Sequence, residues 1–129
     1  MADYTVVNLK EVEDQAPRFD MSPHMEMRMA RVALGLEHSG VSYQRLAPDY
    51  RLPFGHKHRN QEEIYVLVSG SARVKLDDEV VDLKPLDAVR VAKGTMRSFE
   101  AGPEGAELIA IGAPNTGPGD ADTVPGWWS

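Results

Sequence analysis

The sequence predicts an all-β fold, a sandwich or barrel of short strands. From Gly40 to Gly112, runs rich in Val, Ile, Tyr and Phe recur at roughly 8–12-residue spacing, each closed by Gly, Pro or Asp. No stretch sustains the three-to-four-residue apolar spacing of a long amphipathic helix. With 129 residues and no Cys, the chain is long enough to bury one core without disulfide staples.

Taken in order, residues 4–9 read as a short strand that adds to a sheet edge, and the polar stretch ending at Pro17 as a connection. Ser22 is a plausible cap and Pro23 stands at the first helical position. Met25 and Met29 are four apart, as on a helix, yet Met25, Met27 and Met29 also alternate, as on a strand. A short helix or irregular turn is expected here, with the methionines as core filler. Strands follow over 41–47, 63–68 (closed by Ser69-Gly70) and 72–76. Asp77-Asp78 turns the chain into 79–83, and further strands cover 89–91, 96–100 and 108–111, the last of the set. Residues 114–126 are Pro- and Gly-rich and read as an extended tail. Two tryptophans are unexpected on a disordered end, so Trp127 and Trp128 are expected to anchor on the barrel or on a subunit neighbour. The expected organisation is a single domain over 1–129, with an N-terminal extension (1–39), a barrel core (40–112) and a C-terminal tail (113–129).

Charge excludes some partners. Twenty acidic residues against 14 basic ones leave a net charge of −6, which argues against nucleic acid, whose backbone needs a concentrated basic face. The longest apolar run, Ile64 to Val68, is far too short to span a bilayer, so no membrane partner is expected. Residues 1–10 lack a cationic start followed by an apolar block, and a cytoplasmic protein is expected. Neither a Gly-rich phosphate loop nor a nucleophile elbow is present. A small-molecule ligand is the default partner.

The segment from Gly55 to Gly70 carries the chemistry. On a strand, residues two apart share a face, so His56 and His58 project their imidazoles together. A turn at Arg59-Asn60-Gln61 then lets Glu63 reach the same space from the next strand. Two imidazoles and one carboxylate are the ligand set of non-haem Fe(II) sites and also suit Mn, Ni or Zn. The plainer reading is a polar barrel lining without metal. Tyr65 and Leu67 follow Glu63 at two-residue spacing, and Phe99 lies beyond Arg97 in the same way. They make either one wall of an apolar pocket or plain core. Asp77, Asp78 and Glu79 read as a solvated hairpin, since their spacing suits no calcium loop.

The pattern His-x-His-x₄-Glu-x₆-Gly, filled by His56, His58, Glu63 and Gly70, resembles the first motif of the cupin superfamily. The resemblance extends over about residues 40–112. It implies a double-stranded β-helix, a jelly-roll-type barrel that is usually dimeric, hence a homodimer. It also implies that Gly70 serves a tight turn where a Cβ would be unwelcome. Cupins include dioxygenases, isomerases, epimerases, decarboxylases and cyclases, so the resemblance allows a metal-dependent enzyme without choosing a reaction. A metal-free ligand-binding or sensor barrel is the alternative, and a storage-type structural dimer a third.

The second cupin motif, Gly-Asp followed by Pro-x-Gly-x₂-His-x₃-Asn, is only partly present. Asp87 and Gly94 hold their places, whereas Leu86 replaces the Gly and Ala92 the Pro. Arg97 stands where the third metal-binding His belongs. A guanidinium stays protonated and has no lone pair for a metal. Three arrangements are open to it: an ion pair with Glu63 in a metal-free pocket, an anionic substrate held beside a three-ligand metal, or escape through the barrel mouth. His24 is the remaining candidate replacement ligand, against a plainer role as a surface or packed histidine.

Overall fold

Two long strands organise the molecule, and the computed structural model describes all residues, 1–129. Eight strands follow one another: β1 (Met25–Met29), β2 (Gly40–Leu46), β3 (Phe54–His58), β4 (Glu62–Leu76), β5 (Glu79–Leu83), β6 (Ala88–Val91), β7 (Arg97–Ala113) and β8 (Ala121–Pro125). The one-turn helix α1 spans Arg31–Leu34. β4 and β7 run antiparallel along their whole length, from Glu62 opposite Ala113 to Leu76 opposite Arg97. At one end they are flanked by β6 on β4 and by β2 and then β1 on β7. At the other end β5 flanks β4, while β3 and then β8 flank β7. The sheet therefore curls into two five-stranded halves that share β4 and β7. Leu46, Tyr65, Leu67, Val74, Val91, Phe99 and Leu108 fill the space between them.

Several expected boundaries move, each for a local reason. Residues 4–9 form no strand: Leu9–Glu11 is a 3-10 turn, because the Asn8 side chain accepts the Lys10 N–H at 2.9 Å and diverts it from any ladder. Residues 25–29 are strand β1 rather than a helix or turn. Every residue of it pairs with β2, and the Asp14 carboxylate accepts the Met27 N–H on the outer side at 3.0 Å. The free edge of β2 outweighed the helical cap signal at Ser22-Pro23. Met21 and Met25 are core residues, whereas Met29 is 46% exposed.

Ser69-Gly70 does not end a strand. β4 continues through it, absorbing the irregularity as register shifts between Leu67 and Ser69 and between Gly70 and Ala72. Gly70 has φ +81°, and a Cβ there would lie 2.0 Å from the Gly105 carbonyl oxygen. Its role is close approach of β4 to β7 rather than a tight turn. Likewise 96–100 and 108–111 are one strand, β7, whose residues 102–105 have no ladder partner. Pro103 sits in that gap, where its missing N–H costs nothing. Leu86, where the motif has Gly, keeps the left-handed backbone at φ +73°.

Residues 113–129 are also more than a tail. β8 pairs with β3 over all five residues, so 108–111 is not the last strand. The tryptophans anchor on the chain's own barrel. Trp127 lies over Gly55, where a Cβ would fall 2.5 Å from the ring, and Lys75 Nζ sits 4.4 Å from its centroid. Trp128 stacks on the Arg51 guanidinium at 4.5 Å. No helix is long and apolar enough to cross a membrane.

Candidate functional site

The polar cluster lies where the two halves of the sheet face each other. Glu63 and Tyr65 come from β4 in one half; His56 and His58 come from β3, and Arg97 from the start of β7, in the other. Alternation along each strand turns these side chains inward. His56 is register partner to Arg97, which sets imidazole and guanidinium side by side. Gly112 stands opposite Glu63 on β7, and a Cβ there would come within 3.1 Å of Glu63 Cγ, so this glycine leaves the room that the carboxylate fills.

All of these groups meet at one atom, Glu63 Oε1. Tyr65 donates its hydroxyl to it at 2.6 Å and Arg97 donates from Nη1 at 3.3 Å. His58 Nε2 lies 3.1 Å from the same oxygen and His56 Nε2 lies 3.6 Å from it. The two imidazoles meet edge to face, with centroids 5.1 Å apart. Tyr65 packs on Phe99 at 4.6 Å between centroids, and both are deep core residues. Arg97 is fully buried, so it does not reach the barrel mouth, and it forms an ion pair with Glu63. Its Nη2 reaches the Ala92 carbonyl at 3.5 Å, and its Nε is a buried donor without a partner. His24 is far from this group in role: it stacks on Tyr50 at the surface, with centroids 5.4 Å apart.

Two side chains outside the expected set complete the site. Asp120, just before β8, places Oδ2 3.1 Å from His58 Nδ1, on the far side of that ring from Glu63. Gln61 is buried, with Oε1 2.6 Å from where a Gly112 Cβ would be. Nothing in a Pro- and Gly-rich stretch signalled Asp120. Gln61 lay within the expected turn but carried no pattern of its own.

Burial pushes the Glu63 carboxyl up, but the neighbouring His56 and His58 imidazoles and the Tyr65 hydroxyl outweigh it and hold the group well below the usual carboxylate range. Burial lowers His56 below its ordinary value of 6.5, against the pull of Glu63. Both shifts have the same sign for stability. A depressed carboxyl contributes stability above its ordinary value that is lost as pH falls through the folded value. A depressed imidazole favours the folded state above pH 6.5, and that too is lost on acidification. Stability is therefore expected to be flat from about pH 7 to 9, below the range where the buried tyrosines titrate, and to fall steadily below about pH 6.5, in urea titrations across pH. A midpoint that rises between neutral pH and the onset of acid unfolding would contradict these assignments.

His56, His58 and Glu63 each offer one donor atom, all within 4.8 Å of one another, and by donor type could hold a metal ion. Against that fit, the oxygen that faces both rings already accepts from Tyr65 and from the buried Arg97.

The curled double sheet and its inward His-His-Glu group define a small β-barrel with one polar centre. The sequence matches the cupin domain family over residues 42–112, and the chain belongs to the cupins. The polyketide cyclase RemF from Streptomyces resistomycificus superposes with a TM-score of 0.74 at 17% identity, over 97% of this chain and 87% of that one. The Streptomyces nucleoside dehydratase Pac13 gives 0.71 at 17% identity, over 97% and 92%. A cupin from Bacteroides fragilis gives 0.72 at 23% identity, over 88% and 86%. At such identities the likeness is one of fold. No curated protein matches the sequence.

Proposed function

We propose that this cupin binds a small organic ligand at a metal-free polar centre, where His56 exchanges protons with it. The convergence on Glu63 Oε1 carries this reading. Arg97 neutralises the carboxylate from within the core, and Tyr65 adds a second hydrogen bond, so this oxygen is already satisfied. A divalent ion on Glu63 would have to share its ligand with a permanent, buried cation. His56 is the most exposed member of the cluster, at 22%, and burial favours its neutral form, which suits a proton acceptor at neutral pH. Because Arg97 is neutralised by Glu63, the pocket does not demand an anionic ligand. The fold hosts both a dehydratase and a cyclase, so proton-transfer chemistry on a small organic substrate is compatible with it. Ile64 and Ile111, exposed and opposite each other on β4 and β7, support a homodimer through that outer face.

A second reading is favoured by the three converging donors: His56, His58 and Glu63 hold a divalent Fe, Mn, Ni or Zn ion, which would supply Lewis acidity or an oxygen-binding centre. Metal analysis of untagged protein, after supply of these four metals, separates the two. Far less than one equivalent is expected in the wild type, and Arg97→His is expected to raise it at least tenfold by removing the cation and adding a ligand. Stoichiometric metal in the wild type that is lost on His56→Ala would overturn the metal-free reading and establish the second.

A further inference from the structure

We propose that Gln61 is a ligand-reading residue of this pocket, and that with two neighbours it selects an uncharged ligand carrying a hydrogen-bond donor beside an acceptor. The inference rests on the reading of this centre as a ligand site and deepens it. Gln61 is 5% exposed, yet its side-chain amide makes no hydrogen bond within the protein. Arg97 Nε is the one completely enclosed side-chain nitrogen or oxygen without a partner, so the Gln61 amide keeps an opening to the space it faces. A buried amide with none of its donors or acceptors used costs stability, and an apolar side chain of similar size would fill the position without that cost. Its direction is fixed locally. Asp120 Oδ2 accepts the Gln61 N–H at 3.1 Å and holds the main chain, and Gln61 stands two residues before Glu63, on the same inward face.

Two adjacent glycines floor the recess that these groups edge. Gln61 Oε1 lies 2.6 Å, and Glu63 Oε2 3.4 Å, from the point that a Cβ on Gly112 would occupy. Gly40 is the register partner of Gly112 on β2, and the Asn115 side-chain amide lies in the room its Cβ would take. Asn115 Oδ1 accepts the Gly117 N–H at 3.1 Å, which leaves its Nδ2 without a partner. The Tyr65 and Arg97 hydrogen bonds to Glu63 both end on Oε1, and Oε2 accepts none. Oε2 therefore calls for a donor on the ligand and Asn115 Nδ2 for an acceptor, while the Gln61 amide meets either. Hydroxyls on neighbouring carbons present that pattern, and so does a ring N–H beside its carbonyl. A simple carboxylate lacks the donor, and an ammonium group lacks the acceptor.

The test is a fragment titration of the full-length protein, followed by proton–nitrogen NMR of the Gln61 side-chain amide and the His56 ring. The probes are vicinal cis-cyclohexanediol and succinimide, each against its methylated counterpart (the dimethyl ether and N-methylsuccinimide), which lacks the donor. At least one parent probe is expected to shift the Gln61 amide and to bind about fivefold or more tightly than its counterpart. Which of the two does so tells a polyol ligand from a cyclic amide. Gln61→Leu is expected to abolish that preference while unfolding at the same temperature as the wild type or higher, the mark of a residue kept for binding rather than stability. If Gln61→Leu fails to fold, Gln61→Met serves. A probe that moves the His56 ring but leaves the Gln61 amide unmoved, or whose preference survives in the variant, would overturn the proposal and leave the pocket a ligand site. Probes that move neither group would overturn the ligand-site reading along with it.

Discussion

Replacing Glu63 by Gln is expected to destabilise the protein by about 3–5 kcal/mol, because it strands a buried guanidinium without its counter-charge. Arg97 is fully buried and Glu63 is its only anionic partner. For a domain of this size the midpoint of thermal unfolding should fall by about 10–15 °C. The control that makes the result specific is the double variant Glu63→Leu with Arg97→Met. Removing both charges also removes the unpartnered Arg97 Nε–H, and such replacements of buried pairs are often neutral or stabilising. The double variant should recover most of that loss, falling short of the wild type by about 1–3 kcal/mol, the cost of the buried Tyr65 hydroxyl left without its acceptor, while losing ligand binding. A Glu63→Gln protein as stable as the parent would show that Arg97 draws its stabilisation from elsewhere.

Gly70→Ala carries the second large effect, and Gly94→Ala is its natural comparison. The two glycines have nearly the same backbone, φ +81° and +82°. A Cβ at Gly94 meets nothing within 4 Å, so its substitution costs only the left-handed strain of an L residue, about 1 kcal/mol. At Gly70 the new carbon would lie 2.0 Å from the Gly105 carbonyl oxygen and 3.1 Å from the Ala106 Cα. Both are backbone, and neither can swing aside. β4 and β7 would have to part at the point where the barrel bends, adding about 1–3 kcal/mol to the same strain. Chemical denaturation of the two variants, side by side, should therefore rank Gly70→Ala clearly below Gly94→Ala. Equal losses would mean that the β4–β7 approach is soft.

Much of the site could be read from the sequence because strand periodicity is a local property. His56 and His58 two apart, a short polar turn, then Glu63 with Tyr65 two further on, is enough to aim four side chains at one space. The same rule made Phe99 an inward residue beyond Arg97. The barrel itself followed from the spacing of β-rich runs, and its family from four motif residues. Strand ends were read less well. Gly and Pro mark backbone irregularity, and a bulge in a long strand and a turn between two short ones leave the same mark. Hence Gly70 and the Gly102-Pro103 pair read as strand ends in the sequence, where β4 and β7 run through.

Sequence alone determined the all-β class, the inward His-His-Glu trio, and the replacement of a metal-ligating histidine by a residue that can never ligate. Tertiary structure decided what Arg97 does and what holds His58. Whether a guanidinium escapes to water or pairs in the core depends on which groups from the opposite half of the sheet come within hydrogen-bond reach, and Glu63 lies 34 residues away. Asp120 is 62 residues from His58 and meets it only because β8 completes the sheet beside β3. Such meetings are set by the pairing of distant strands, an energy shared over many ladder bonds, and no local pattern in either segment records it.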